Sequence, residues 1–489
     1  MEQRHNDRDI GSTFRKGGLG EKGHIKSRRL KMAELIAGVA KADITPPVGM
    51  LMSGYAARKT PAVGVHDELY TVALYLTDGD MEAGLITADL IGISDEGTAY
   101  VRQLCASLSG VPAENILIAC SHTHGGPQIG LRRKDETDDQ LKQAYDTILA
   151  HKMAGALSEA KLKATPVRLG YGRQDCSVAM NRRERRPDGT IILGVNPEGP
   201  TAPYTDVIRL DRLDSGEPMA LLFCYACHGT TLGGDNLLYT ADYPGAAKRF
   251  IERQFPSTLA LFVAGCSGDI NPYPRGNFDL CERHGRRLGC AVMQAALDIE
   301  EMVEEAHIAV ARHEFALQLE EPPSLEEARE RLAQIRAKAD EEIAKARQAA
   351  SGKPVDERKA LNWFTARALK GAEELVKALE QGKTDLSIPV ETQALAIGDC
   401  AIVGLPGEIF VKIGLAIAEK SPFARTIPVS HANGAIGYVP TADQVPLGGY
   451  EVERARASRY GLFIAPESDQ AMIDGALTAL RKCYDALRK

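Results

Sequence analysis

Four strongly apolar runs in this chain each stop at a cluster of polar residues of the kind that bind metals or move protons. ILIAC runs into Ser121-His122-Thr123-His124-Gly125-Gly126-Pro127, and LLFCYA runs into Cys227-His228-Gly229-Thr230. LALFVAG runs into Cys266-Ser267-Gly268-Asp269-Ile270-Asn271-Pro272, and AIV runs into Gly404-Leu405-Pro406-Gly407-Glu408-Ile409. Short apolar runs bounded by Gly and Pro read as strands buried on both faces. In open α/β sheets, ligands collect where such strands end. The chain is therefore expected to fold around a site assembled from several strand ends.

The segments between these runs support an α/β class, with mixed β-sheets flanked by helices. IAGVAKADI, ELYTVALYLTD, MEAGLITADLIGIS, PVRLGYGRQ, IILGVN and TDVIRLDRLD read as strands. Residues 95–108, 138–162, a segment opened by Pro244, and about 277–304 read as helices. Residues 321–383 differ. Ser324 and Glu327 form an S-x-x-E capping box, and apolar residues then recur at helical spacing from Leu325 to Ala346. Ser351-Gly352-Lys353-Pro354 breaks that helix, and Leu361, Phe364, Ala368, Ala372, Leu375 and Leu379 mark a second. This predicts a helical hairpin inserted in the domain. It is expected to pack on the body as a surface arm, with a lid or a contact between copies in a homo-oligomer as alternatives.

Composition narrows the function classes. The 489 residues are 44% hydrophobic and 26% charged, which excludes a globally disordered chain. No stretch approaches the roughly 20 apolar residues of a spanning helix. The net charge of −7 argues against nucleic acid as the main partner. Residues 1–33 carry nine Lys and Arg against four Asp and Glu, with no apolar stretch. They read as a flexible basic tail and not a secretory signal, so a cytoplasmic location is expected. The ten cysteines lie mostly in apolar runs, as buried thiols do in a reducing compartment. Cys224-x-x-Cys227-His228 matches the string of covalent haem attachment, but inside a strand its two thiols point in different directions.

The candidate chemistry is metal-dependent hydrolysis. His122 and His124 are spaced i, i+2, so an extended segment projects both to one face. His228 follows a buried strand directly, and Glu408 is a carboxylate beside one that needs a cation or donors. Histidines with a carboxylate are the ligand set of catalytic zinc. Tyr438 and Tyr450 lie in a Gly-rich loop region where tyrosines bind metal, donate to an oxyanion, or pack. Arg182, next to Arg183, is either a charge run or a site cation.

AGVAKADITPPVG, ACSHTHGGP, HGT with a downstream GDN, AGCSGDINP, GLPGEIF and HANGAIGYVPT resemble, in order, the motif series of the neutral/alkaline (non-lysosomal) ceramidases, over about residues 36–462. The resemblance implies a zinc amidase that cleaves an N-acyl bond with metal-activated water. It implies His122, His228, Glu408 and Tyr438 as metal ligands, and His124, Arg182 and Tyr450 near the scissile amide. Asp89 and Asp269 fall in the same strings and are expected as partners of the ligands. Where the family string offers a serine, this chain has Asn271, which excludes a serine nucleophile there. The chain is expected to be a short, bacterial-type member without the family's C-terminal β-sandwich domain, with residues 34–489 forming one ceramidase-like metallohydrolase domain. Its substrate is then expected to be a small N-acyl compound, smaller and more soluble than ceramide. An ester or lactone hydrolase, or a non-catalytic binding protein on the same scaffold, remain the alternatives.

Overall fold

The computed structural model describes residues 33–131, 139–351, 354–455 and 459–489. The basic tail, Ala33 apart, lies outside them.

The apolar runs form strands because their aliphatic side chains pack on a pleated surface covered on both faces. Eight strands make one sheet in the order Leu259–Ala264, Pro218–Tyr225, Tyr204–Arg212, Thr165–Asp175, Ile36–Asp43, Tyr70–Thr77, Glu82–Ala88 and Ile116–Cys120. The pair at each edge is parallel, and the pairings between them are antiparallel. A second sheet runs Ile308–Gln318, Ser387–Ile397, Cys400–Gly404 and Arg425–Val429, with only the last pair parallel.

The two sheets stack face to face. Leu74, Leu85, Leu117, Leu222 and Val263 of the first pack with Leu395, Ile397, Ile402 and Ile427 of the second. The first sheet's outer face is covered by the helices Asp95–Ser109 and Gln140–Leu162, through Val101, Leu149 and Met153. Farther along it is covered by Asp242–Gln254 and Phe278–Leu297, through Tyr243, Ala247 and Val292. The second sheet's outer face is covered by Val411–Lys420 and Ser468–Ala486. The order of layers is helix, sheet, sheet, helix, as the α/β reading with flanking helices expects. Among the described residues, no helix is long and apolar enough to cross a membrane.

Two expected helices are trimmed. The one expected over 277–304 ends at Leu297, because Val303 leaves it to exchange backbone hydrogen bonds with Leu169. In the hairpin, Leu325–Ala349 starts at the expected capping box. Its partner starts only at Trp363, because the Asn362 side chain caps it by accepting from the Phe364 N–H, and Leu361 is left outside. The hairpin is docked: Ala328, Leu332, Ala372 and Leu375 join the core that contains Met472, Ala476 and Leu480. Leu375 is 2% exposed. Leu375→Ala should lower unfolding free energy by about 2–5 kcal/mol in urea denaturation. A change below about 0.5 kcal/mol, typical of surface sites, would show a solvated arm.

Candidate functional site

The site forms where the ends of the two sheets meet. Residues beyond Ile116–Cys120, Pro218–Tyr225 and Leu259–Ala264 leave the first sheet, and those beyond Cys400–Gly404 and Arg425–Val429 leave the second. Backbone hydrogen bonds stitch these ends together. The Cys120 N–H donates to His431 O, Ser430 N–H to Ala264 O, His228 N–H to Ile270 O and His124 N–H to Gly229 O. Glu408 and Tyr438 are brought side by side by a short parallel pairing in which they are register partners. Gly407 allows this approach, since a Cβ there would lie 2.7 Å from Gly437 O.

His122, His124 and His228 offer ring nitrogens that all lie within 4.8 Å of one another. The Nε2 atoms of His122 and His124 are 3.3 Å apart. Glu408 Oε2 lies 3.1 Å from His228 Nε2 and 3.7 Å from His122 Nε2. His122 Nδ1 sits 2.6 Å from Ile91 O, and His228 Nδ1 sits 2.7 Å from Ser267 O. A carbonyl only accepts, so each Nδ1 carries the proton and each Nε2 turns a lone pair toward Glu408. Burial, with Arg182 nearby, pushes His228 down to about 3, so it is neutral. Neutral lone pairs converging on an anionic oxygen fit together when a cation lies among them. The donor set, imidazole nitrogen plus carboxylate, suits zinc.

A buried charge cluster adjoins these groups. Glu451 is 1% exposed and takes Arg182 Nε at 2.7 Å on one oxygen and Arg183 Nη1 at 2.7 Å on the other. Adjacent strand residues normally face opposite ways. Here the pairing of Ala179–Arg185 shifts register between Asn181 and Arg183, which lets both arginines turn inward. Arg182 also donates to Asn271 Oδ1 and to Tyr438 Oη, each at 3.1 Å. Arg183 instead ties down the segment after Tyr438, through Gln444 and Gly448 O. Arg182, then, is the arginine that reaches the site. Burial opposes its charge, but Tyr438 and the two glutamates raise its pKa further. Tyr450, exposed to 37%, has its ring 6.0 Å from that of Tyr438.

All seven expected site residues therefore converge. Three local expectations are corrected. His122 is not on an extended segment; its φ of 57° is left-handed, and the kink aims its ring beside that of His124. Asp89 contacts none of the expected ligand residues among the described residues: it pairs with Lys248 and accepts from the Tyr70 N–H, while the Ile91 carbonyl orients His122. Asp269 accepts from Val411 N–H and Asn181, while Ser267 O orients His228. The haem string is split, with Cys224 in the core between the sheets and Cys227 in the core under the helices. Sequence reasoning missed His431, whose ring stacks on His122 at 3.7 Å and 11°. It lies in the HANGAIGY string, where an isolated His in a Gly-rich turn was the available signal. Glu451 was missed too, although a carboxylate next to a candidate site tyrosine marks it.

The profile of the neutral/alkaline non-lysosomal ceramidases, N-terminal region, matches residues 35–359, well over half of the chain. The chain belongs to this ceramidase family. A neutral ceramidase of Drosophila pseudoobscura pseudoobscura is 25% identical over 270 residues, 50% of this chain and 37% of that protein. Neutral ceramidase B of Dictyostelium discoideum is 25% identical over 249 residues, 46% of this chain and 33% of that protein. The matched region thus spans about a third of the length of these curated relatives. The crystal structure of neutral ceramidase from Pseudomonas aeruginosa aligns with a TM-score of 0.66 and 19% identity, covering 92% of this chain and 75% of that one. A ceramidase complexed with C2 gives 0.68 at 19% identity, covering 93% and 76%. At this identity the likeness establishes the ceramidase fold.

The Arg182–Glu451–Arg183 cluster makes a direct prediction. Glu451→Gln leaves two buried guanidinium groups facing a neutral amide, and should destabilise the fold by about 3–5 kcal/mol. Urea denaturation measures it; a loss under about 1 kcal/mol would mean the cluster is solvated.

Proposed function

We propose that residues 34–489 form one catalytic domain that hydrolyses the amide bond of an N-acyl compound with the help of a divalent metal, zinc being the ion the donors suit best. The observation that carries this is the convergence of two carbonyl-oriented imidazoles, His122 and His228, on the Glu408 carboxylate, beside a fixed Arg182 cation. Family membership supports the amide bond as the target.

In this reading His122 Nε2, His228 Nε2 and Glu408 hold the ion, with the Tyr438 hydroxyl beside Glu408 completing the set. When bound, the ion supplies a Lewis acid for the acyl carbonyl and a water acidified to about neutral pH. The chain's own groups do the rest. Glu408 offsets part of the ion's charge. Arg182, locked by Glu451 and Asn271, holds positive charge where the carbonyl oxygen becomes anionic, and its cost of orientation is met in folding. Tyr450 stands at the same side as a second donor. His124 has no carbonyl on its ring and lies next to the ligands, so Nε2 can take a proton from water and give it to the departing nitrogen. Burial and the neighbouring imidazoles hold His124 well below its ordinary pKa, so at neutral pH it starts as the base.

Metal analysis with an activity screen tests this. The wild type should carry about one divalent ion per chain and turn over at least one N-acyl amide in a panel from long-chain ceramide to short soluble compounds. His122→Ala and His228→Ala should lose both metal and turnover. Arg182→Lys should keep the metal but lose about 10²–10³-fold in kcat, as loss of an aligned oxyanion donor does. Wild-type turnover of esters alone, or full turnover in metal-free His228→Ala, would overturn the reading.

A further inference from the structure

We propose that the loop Ser53–Arg58 is a positioning device for His124, setting its imidazole beside the two ligand histidines and not among them. This rests on the function proposed above.

His122 and His228 are each fixed by a carbonyl on Nδ1. The Nδ1 of His124 is buried and has no partner among the described residues. Something else must hold this ring, and the 53–58 loop surrounds it. Arg58, 8% exposed, donates from Nη1 to His124 O at 3.0 Å and to Ser53 O at 2.8 Å. With His124 N–H bound to Gly229 O, both backbone groups of His124 are tied. The Tyr55 ring meets the His124 ring edge-on, with centroids 5.0 Å apart at 64°. Tyr55 is itself anchored: its hydroxyl donates to Leu232 O at 2.6 Å and accepts from Arg275 Nη2 at 3.0 Å. Gly54 forms the floor. A Cβ at position 54 would lie 2.6 Å from His124 Cβ, Cγ and Nδ1, so the imidazole rests on bare backbone. The rings of His122 and His228 face His124 from the other side, with centroids at 4.9 and 5.8 Å. Its Nε2, 3.3 Å from His122 Nε2, is within reach of the ion, so a small rotation separates a neighbour from a third ligand. The loop removes that rotation. A shift of about 1 Å in such a group costs on the order of 10²-fold in rate.

The test uses Arg58→Met, Gly54→Ala, Tyr55→Phe and Tyr55→Ala with two substrates that share one acyl group, an alkyl amide and a 4-nitrophenyl ester. The amine leaves only with a proton; nitrophenolate leaves without one. Arg58→Met, Gly54→Ala and Tyr55→Ala should keep wild-type metal content. They should lose about 10–100-fold in kcat on the amide, with KM changed less than about twofold, and a clearly smaller factor on the ester, which needs His124 for the proton of the water and not for its leaving group. Tyr55→Phe, which keeps the ring edge, should lose less than Tyr55→Ala. Loss of metal in Arg58→Met or Gly54→Ala would make His124 a ligand and overturn the proposal, as would equal losses on both substrates. A readout independent of turnover is the rate at which diethyl pyrocarbonate modifies His124, followed by peptide mass spectrometry in the metal-loaded protein. Arg58→Met and Tyr55→Ala should raise that rate several-fold; an unchanged rate overturns the device whether or not the protein proves to be an amidase.

Discussion

The structure depends on the hydrogen bonds that join the ends of its two sheets. Face-to-face packing of Leu, Ile and Val is non-directional and would tolerate sliding. The end-to-end bonds are directional. Asn433 shows how they are made: its N–H donates to Ile118 O, and its side-chain oxygen accepts the Ile118 N–H. Its amide nitrogen donates to Gln393 Oε1, which also takes Arg102 Nη2. This buried network spans both sheets and fixes their relative register, as satisfied polar networks do. Asn433 adopts φ 60° and His431 φ 54° to make these contacts. Asparagine tolerates that region, and a histidine there carries a strain the surrounding bonds must outweigh.

Fixed sheet ends give the site its geometry. His122 and His228 come from the first sheet, while Glu408, Tyr438 and His431 come from beyond strands of the second. The imidazoles of His122 and His228 are each aimed by a main-chain carbonyl, a partner that side-chain substitutions do not remove. The carboxylates that sequence reading places behind the histidines act one step farther back. Asp89, paired with buried Lys248, holds the segment whose Leu90 and Ile91 carbonyls take His122 N–H and Nδ1. Glu451 offsets part of the charge on the Arg182 side, and Glu408 also acts on Arg182, so the two halves of the site are electrostatically linked.

The helical hairpin bears on the same region. Arg454, at the end of the short helix that carries Tyr450 and Glu451, lies 3.9 Å over the Phe364 ring. Gly371 packs against the backbone at Gly461, where a Cβ would come within 2.9 Å. The hairpin therefore backs the segment that carries Tyr450 and Glu451.

Much of this was legible in the sequence because it is local. An apolar run that stops at His, Asp or Glu announces a strand end and its chemistry, and the S-x-x-E box announces the first arm helix. The motif order carried the family. What the sequence could not supply was long-range: that Leu297 ends a helix because Val303 pairs with Leu169, that a register shift turns both Arg182 and Arg183 inward, that Glu451 lies between them, and that His431 stacks on His122. These depend on residues tens to hundreds of positions apart, and no local periodicity encodes them. The sequence by itself determined which side chains can ligate, donate or carry a proton, because that is fixed by residue chemistry. Only the tertiary structure decided which of them meet, at what distance and with which proton on which nitrogen, because those depend on the bonds that lock one sheet's ends to the other's.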